Sequence, residues 1–176
     1  MEVYFMRHGE SEYNIREIIN SNKNLEVHLT KKGIIQVKKA ALKLKNRKIE
    51  IIFSSEFLRC VETAKIMNKY HRVIIKKDRR LNEWKTGFEG RTYKEFNNFL
   101  KKNPIKRKLK NSESFLDVKK RLFSFLEFIK KQKYRKVLVV THEVFLRLIY
   151  GLSKNFPDDK IVMKPIENAR IIKLNI

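Results

Sequence analysis

Short apolar runs recur along the chain with amphipathic stretches between them, and this alternation constrains the fold more than any other feature. The runs are Val3–Met6, Ile49–Ser55 (IEIIFSS), Arg72–Lys76 (RVIIK), the stretch KVLVVTHE beginning at Lys136, and a closing ARIIKLNI. Each has the length and composition of a buried strand. In LTKKGIIQVKKAALKLKNRK, Ile34, Val37, Ala41 and Leu44 recur three and four apart, and Thr30 is placed to cap the helix they predict. A second helix carries Leu58, Val61 and Ile66 to about Tyr70, with Ser54 and Ser55 as candidate caps. Lys77–Arg91 has no period and holds Gly87 and Gly90, so it reads as a loop. A helix from Thr92 to Leu100 stops before Pro104, and Ser112 or Ser114 can start the next one. That helix shows Phe115, Val118, Leu122, Phe125 and Ile129 at core spacing. Another helix runs from the KVLVVTHE strand through Leu152.

Strands alternating with helices predict a three-layer α/β/α sandwich around a mainly parallel (mixed) sheet. One domain, residues 1–176, accounts for the whole pattern, with a small cap or insert region around 85–113. In such folds ligands sit beyond the carboxyl ends of the strands. The strand ends here share one character. The first delivers Arg7 and His8, the second leads into Ser54 and Arg59, and the fourth delivers Thr141 and His142, while Glu83 lies in the loop after the third. Two histidines, two arginines and one carboxylate make a cationic pocket suited to a phosphate dianion, whose oxygens match the planar guanidinium fork.

Composition narrows the alternatives. At 42% hydrophobic and 35% charged, the chain is globular rather than disordered. Its single cysteine, Cys60, rules out an internal disulfide or a cysteine-based metal cluster and reads as a small buried hydrophobe. The apolar run before Arg7 is too short for a signal sequence and no stretch is long enough to span a bilayer, so a cytoplasmic location without membrane association is expected. The formal net charge of +23 is spread along the chain as lysine and suits either a compositional bias or an anionic partner. Nucleic acid is not the expected partner, because no aromatic-basic stacking motif accompanies the charge. The basic stretch Lys101–Lys110 reads as a solvated face, the alternative being a lid that steers anions. A positive rim would favour substrates with more than one acidic group. His28 and His71 read as ordinary packed or surface residues.

The pieces RHGESEYN, SSEFLRCVETA, LNEWKTGFEG and VVTHEVFLR, together with LTKKGIIQ and NARIIKL, resemble the motifs of the histidine phosphatase superfamily, also called phosphoglycerate mutase-like. The resemblance runs from the first strand to the last. It implies that His8 is a nucleophile forming a phosphohistidine, that Arg7, Arg59 and His142 bind the phosphoryl oxygens, and that Glu83 is the proton donor. Asn14 and Ser11 match positions that hydrogen-bond the phosphate. Held in one tautomer, a histidine can attack phosphorus without a metal, so no metal or other cofactor is expected; the backbone turn at Gly9 is the expected acceptor for its second nitrogen. Nearby arginines should keep Glu83 ionised until a phosphate dianion arrives.

Two departures from the family pattern matter. Where most members have glycine after the second histidine, this chain has Glu143, which is expected to point away from the phosphate or bind another group. Where mutases carry an arginine-histidine-tyrosine-glycine run after the acid, this chain has Trp84-Lys85-Thr86-Gly87. The expected activity is therefore metal-independent hydrolysis of small phosphomonoesters. A phosphoglycerate mutase-type phosphotransferase is the runner-up, and a non-catalytic polyanion-binding protein is the alternative from another class. The natural substrate and the oligomeric state are not encoded legibly.

Overall fold

The computed structural model describes all 176 residues. In chain order the elements are β1 (Glu2–Arg7), α1 (Glu12–Ile15), α2 (Lys31–Leu44), β2 (Ile51–Ser54), α3 (Leu58–Asn68), β3 (Ile75–Lys77), α4 (Tyr93–Leu100), α5 (Phe115–Lys130), β4 (Lys136–Thr141), α6 (Glu143–Lys154), α7 (Asp158–Ile161) and β5 (Ile171–Asn175). The five strands form one sheet in the order β3-β2-β4-β1-β5. All neighbouring pairs are parallel except β5, which runs antiparallel to β1.

Strict alternation of side chains divides the core between the two faces of the sheet. Val3, Phe5, Phe53, Val137 and Val139 pack with Phe115, Phe125 and Phe145 from α5 and α6. Tyr4, Met6, Ile52, Leu138 and Val140 pack with Val37, Ala41 and Ala64 from α2 and α3. Because both faces are covered, the strands are apolar throughout, as the sequence runs suggest.

Three expectations are revised. The third strand covers Ile75–Lys77 rather than Arg72–Lys76. Arg72 takes a positive φ of 54°, and the Asn68 side chain binds both the N–H and the carbonyl of Val73, which withholds those groups from the sheet. The second strand is likewise shorter than Ile49–Ser55. The helix after it starts from Phe57, whose side chain cannot cap, and the Ser55 hydroxyl accepts from the Phe57 N–H while also bonding His142. The other caps form as the sequence suggests: Thr30 accepts from the Gly33 N–H, and Ser114 rather than Ser112 opens α5.

Register fixes the site. Arg7 lies opposite Thr141 and Ser54 opposite Val140, so β1, β2 and β4 end side by side. The His8 N–H donates to the Thr141 carbonyl and the Ser55 N–H to the Val140 carbonyl, carrying the pairing one residue past each strand. Residues 85–113 leave this edge and return to it. Gly87 and Gly90, at φ values of 77° and 73°, make the turns that a side chain would strain. Phe88 and Trp84 then pack on Phe96 of α4, and Lys85 and Glu113 are joined by backbone and side-chain hydrogen bonds.

Candidate active site

His8 is almost fully buried. Its Nδ1 lies 2.7 Å from the Gly9 carbonyl, an acceptor only, so Nδ1 carries the proton and Nε2 keeps its lone pair. Gly9 can supply that carbonyl because it presses on the start of α2, where a Cβ would lie 2.7 Å from both the Gly33 carbonyl oxygen and Val37. Burial, then the charges of Arg59, His142 and Arg7, hold the His8 pKa well below the usual histidine range, so the ring is neutral.

Arg59, buried on α3, organises the cluster. Its Nε donates to His8 Nε2 at 3.1 Å, its Nη2 lies 3.2 Å from His142 Nδ1 and 3.6 Å from Glu83 Oε2, and Phe57 supports the guanidinium plane. Both the side-chain and backbone oxygens of Asn20 hold its other face. His142 is fully buried between Glu83, 3.2 Å from Nδ1, and the Ser55 hydroxyl, 2.8 Å from Nε2. Burial lowers its pKa to about 4, with Glu83 opposing the shift and Arg59 adding to it. For Glu83, burial favours the neutral acid, but His142, Arg59 and the Trp84 N–H outweigh it and lower the pKa to about 2.

Arg7 reaches the cluster from β1. It donates through Nη1 to the Ile166 carbonyl and pairs with Glu143 at 3.0 Å, while its buried Nε has no partner. Asn14 uses its side-chain oxygen to accept from the Ser11 N–H, the Ser11 hydroxyl and the Asn168 amide, which leaves its NH₂ toward Tyr93 and the cavity. Ser11 thus spends its hydroxyl proton on Asn14. It lines the cavity beside Asn14.

All seven residues singled out from the sequence line or adjoin one cavity of about 350 Å³. Six of them line it directly, and His142 sits behind Arg59 and Glu83. Thr86, Tyr93, Phe96, Asn97 and Leu100 come from the 85–113 region and, with Trp84 just before it, form one wall. Glu143 does not point away: it lines the cavity, bound to Arg7 and to Arg147 at 2.7 Å. Lys101–Lys110 contributes nothing to the lining. Arg107 lies over Phe99 and Lys108 pairs with Asp117, as befits a solvated face. Cys60 is fully buried, and its thiol is pushed up to about 12 by burial, which makes it inert. His28 pairs with Glu62 on the surface, and His71 lies outside the cavity.

Sequence reasoning missed Asn20, Ser55, Asn168 and Arg121. The last donates to the carbonyls of Arg80, Asn82 and Glu83 and so fixes the loop that carries the acid. Ser55 and Asn168 lie inside quoted motifs, SSEFLRC and NARIIKL, whereas Asn20 has no signal around it.

His8, Glu83 and His142 place ligand atoms within 4.8 Å of one another, a spacing a metal ion could use. Arg59 argues against one, since its guanidinium already contacts all three and puts a fixed positive charge where the ion would sit.

Comparison with known proteins agrees with this geometry. The sequence profile described as Histidine phosphatase superfamily (branch 1) matches residues 3–176. The chain is 31% identical to "Putative phosphoserine phosphatase 2" of Hydrogenobacter thermophilus, over 99% of this chain and 89% of that protein. It is 28% identical to the 2,3-bisphosphoglycerate-dependent phosphoglycerate mutase of Thermoplasma acidophilum, over 97% of this chain and 85% of that one. Among solved structures, Bacillus stearothermophilus YhfR superposes with a TM-score of 0.85 at 25% identity, covering 99% of this chain and 91% of that one. With the profile spanning the sheet from β1 to β5, and paired histidines and arginines where the strands end, the chain belongs to the histidine phosphatase superfamily, branch 1.

Proposed function

We propose that the protein hydrolyses small phosphomonoesters without a metal, through a phosphohistidine on His8. The observation that carries this reading is the Nδ1 contact to the Gly9 carbonyl, which leaves the Nε2 lone pair directed into a cradle of Arg7, Arg59 and His142. A bound phosphoryl group takes the donors that Arg59 now spends on the histidines, together with the free Nε of Arg7 and the NH₂ of Asn14. His8 Nε2 then attacks phosphorus as the ester P–O bond breaks, and the leaving oxygen takes a proton from Glu83. In the second half a water gives its proton to the Glu83 carboxylate and attacks phosphorus, the P–N bond breaks, and inorganic phosphate leaves. Donors aimed at the developing charge typically supply about 3 kcal/mol each.

Glu83 must be protonated for the first half, although its surroundings keep it ionised in the free protein. A phosphate dianion between Arg59 and Glu83 reverses that balance by cancelling the guanidinium and adding repulsion. In this reading, residues 85–113 act as a small cap on a single domain. Trp84-Lys85-Thr86-Gly87 offers no second phosphate grip, which favours hydrolysis over mutase chemistry.

The test is hydrolysis of p-nitrophenyl phosphate with excess EDTA by wild type and His8→Ala. Activity that survives EDTA and disappears in the variant supports the reading. A variant as active as wild type, or activity lost to EDTA, rejects it.

A further inference from the structure

We propose that Glu143 makes this cavity selective for phosphomonoesters whose leaving alcohol is uncharged and largely apolar, and that it turns away leaving groups carrying a second acid. The proposal rests on the phosphatase reading above and concerns what lies beyond the phosphate. Although the chain carries a net charge of +23, not one lysine lines the cavity. The cations there are Arg7, Arg59 and Arg147, and the anions are Glu83 and Glu143. Arg7 and Arg59 converge on the position assigned to the phosphoryl group. Arg147 is the only remaining cation that could receive a second acidic group, and it is already engaged. Its Nη2 lies 2.7 Å from Glu143 Oε1 and its Nη1 donates to the Val162 carbonyl, while its Nε has no partner but is buried away from solvent.

Glu143 is held firmly in this role. Its Oε1 also accepts from the Ile166 N–H at 3.1 Å, and its Oε2 meets Arg7 at 3.0 Å. As the first residue of α6, it lies at a helix N-terminus, where a carboxylate is stabilised. A glycine at this position would leave Arg147 uncompensated at the cavity wall, ready for a carboxylate or second phosphate. With Glu143 present, such a group meets a fixed negative charge and a cation whose charge is already offset. Beyond these charges the wall is uncharged, with an apolar part built by Ile18, Trp84, Phe96, Leu100, Val144 and Met163 and neutral polar groups such as Thr86, Tyr93 and Asn97. Burying an uncharged hydrocarbon or aromatic group there is favourable, whereas burying an unpaired carboxylate is costly.

The experiment compares 2-phenylethyl phosphate with 3-phosphoglycerate, two esters of alkyl alcohols of which only the second carries another acid. Wild type is expected to favour the first in kcat/KM by at least about tenfold, the scale of one like-charge contact in a partly shielded site. Glu143→Gln keeps an oxygen for Arg147 and Ile166 but removes the charge. It should shrink that preference by about tenfold, chiefly through the KM for 3-phosphoglycerate, and Glu143→Gly should shrink it further. A merely structural role would lower both substrates together and leave their ratio unchanged. Equal use of the two esters by wild type, a preference for 3-phosphoglycerate, or a ratio unmoved in both variants overturns the proposal. Failure to hydrolyse either ester or p-nitrophenyl phosphate would instead remove the phosphatase reading on which it stands.

Discussion

Acidification from about pH 7 to about pH 4 probes the charge state of the cluster directly. His142 is fully buried, and burial lowers its pKa to about 4, against 6.5 for an unperturbed imidazole. Between those values the unfolded chain binds a proton that the folded chain refuses, so stability falls as the pH falls through this window. At 1.36 kcal/mol per unit of difference, the loss at pH 4 is about 3 kcal/mol from His142 alone. His8, lowered as well, contributes in the same direction. So does Glu83, whose folded-state value of about 2 gives stability that is complete above 4.5 and is lost as the pH falls toward 2. Domains of this kind hold only about 5–15 kcal/mol in total, so the effect is large.

Urea unfolding followed by circular dichroism at three pH values, for wild type and His142→Gln, measures it. Wild type should lose about 3 kcal/mol more than the variant between neutral pH and pH 4, a displacement of the midpoint by roughly 1 M urea or more. Parallel curves for the two proteins would refute the reasoning. They would mean that folded His142 takes up its proton near the ordinary histidine value, with the Glu83 carboxylate 3.2 Å away offsetting its burial.

Two further outcomes follow from the same geometry. Asn20→Ala removes the side-chain oxygen that fixes Arg59; kcat/KM for p-nitrophenyl phosphate should drop by about 10²-fold through misplacement of the guanidinium, while stability measured in urea changes by no more than about 2 kcal/mol, and unchanged kinetics would demote Asn20 to packing. The pH profile of kcat should rise as pH falls from about 8 toward 5, because His8 is held neutral by burial and the neighbouring arginines while Glu83, its pKa raised by the bound phosphate dianion, gains a proton in the complex; an alkaline optimum would take the proton-donor role from Glu83.

The layers of the fold were legible because their signals are local. Apolar runs of strand length, helix spacing such as Ile34-Val37-Ala41-Leu44, and caps at Thr30 and Ser114 each act over a few residues. The site residues were legible because several strand ends carried the same unusual polar character, and parallel strands bring their ends to one edge. Long-range or competing interactions were not legible. Nothing near Asn20 indicates that it holds Arg59, thirty-nine positions on. Ser55 looks like a helix cap until the fold brings His142 to its hydroxyl. Asn68 shortens β3 by taking the backbone groups of Val73, a contest between side chain and sheet that sequence period cannot settle.

The departure at Glu143 shows why global charge is a poor guide to a site. Most of the lysines lie on solvated surface, where charges more than about 8 Å apart are largely screened at physiological salt. They can draw anions toward the protein, but they cannot distinguish one phosphomonoester from another inside the cavity. That choice falls to the few groups shielded from water, where each charge acts on its neighbours with little attenuation. Among those groups, Glu143 offsets Arg147 and draws on part of Arg7. The cavity of a strongly basic protein is thereby left with little more positive charge than one phosphoryl group needs.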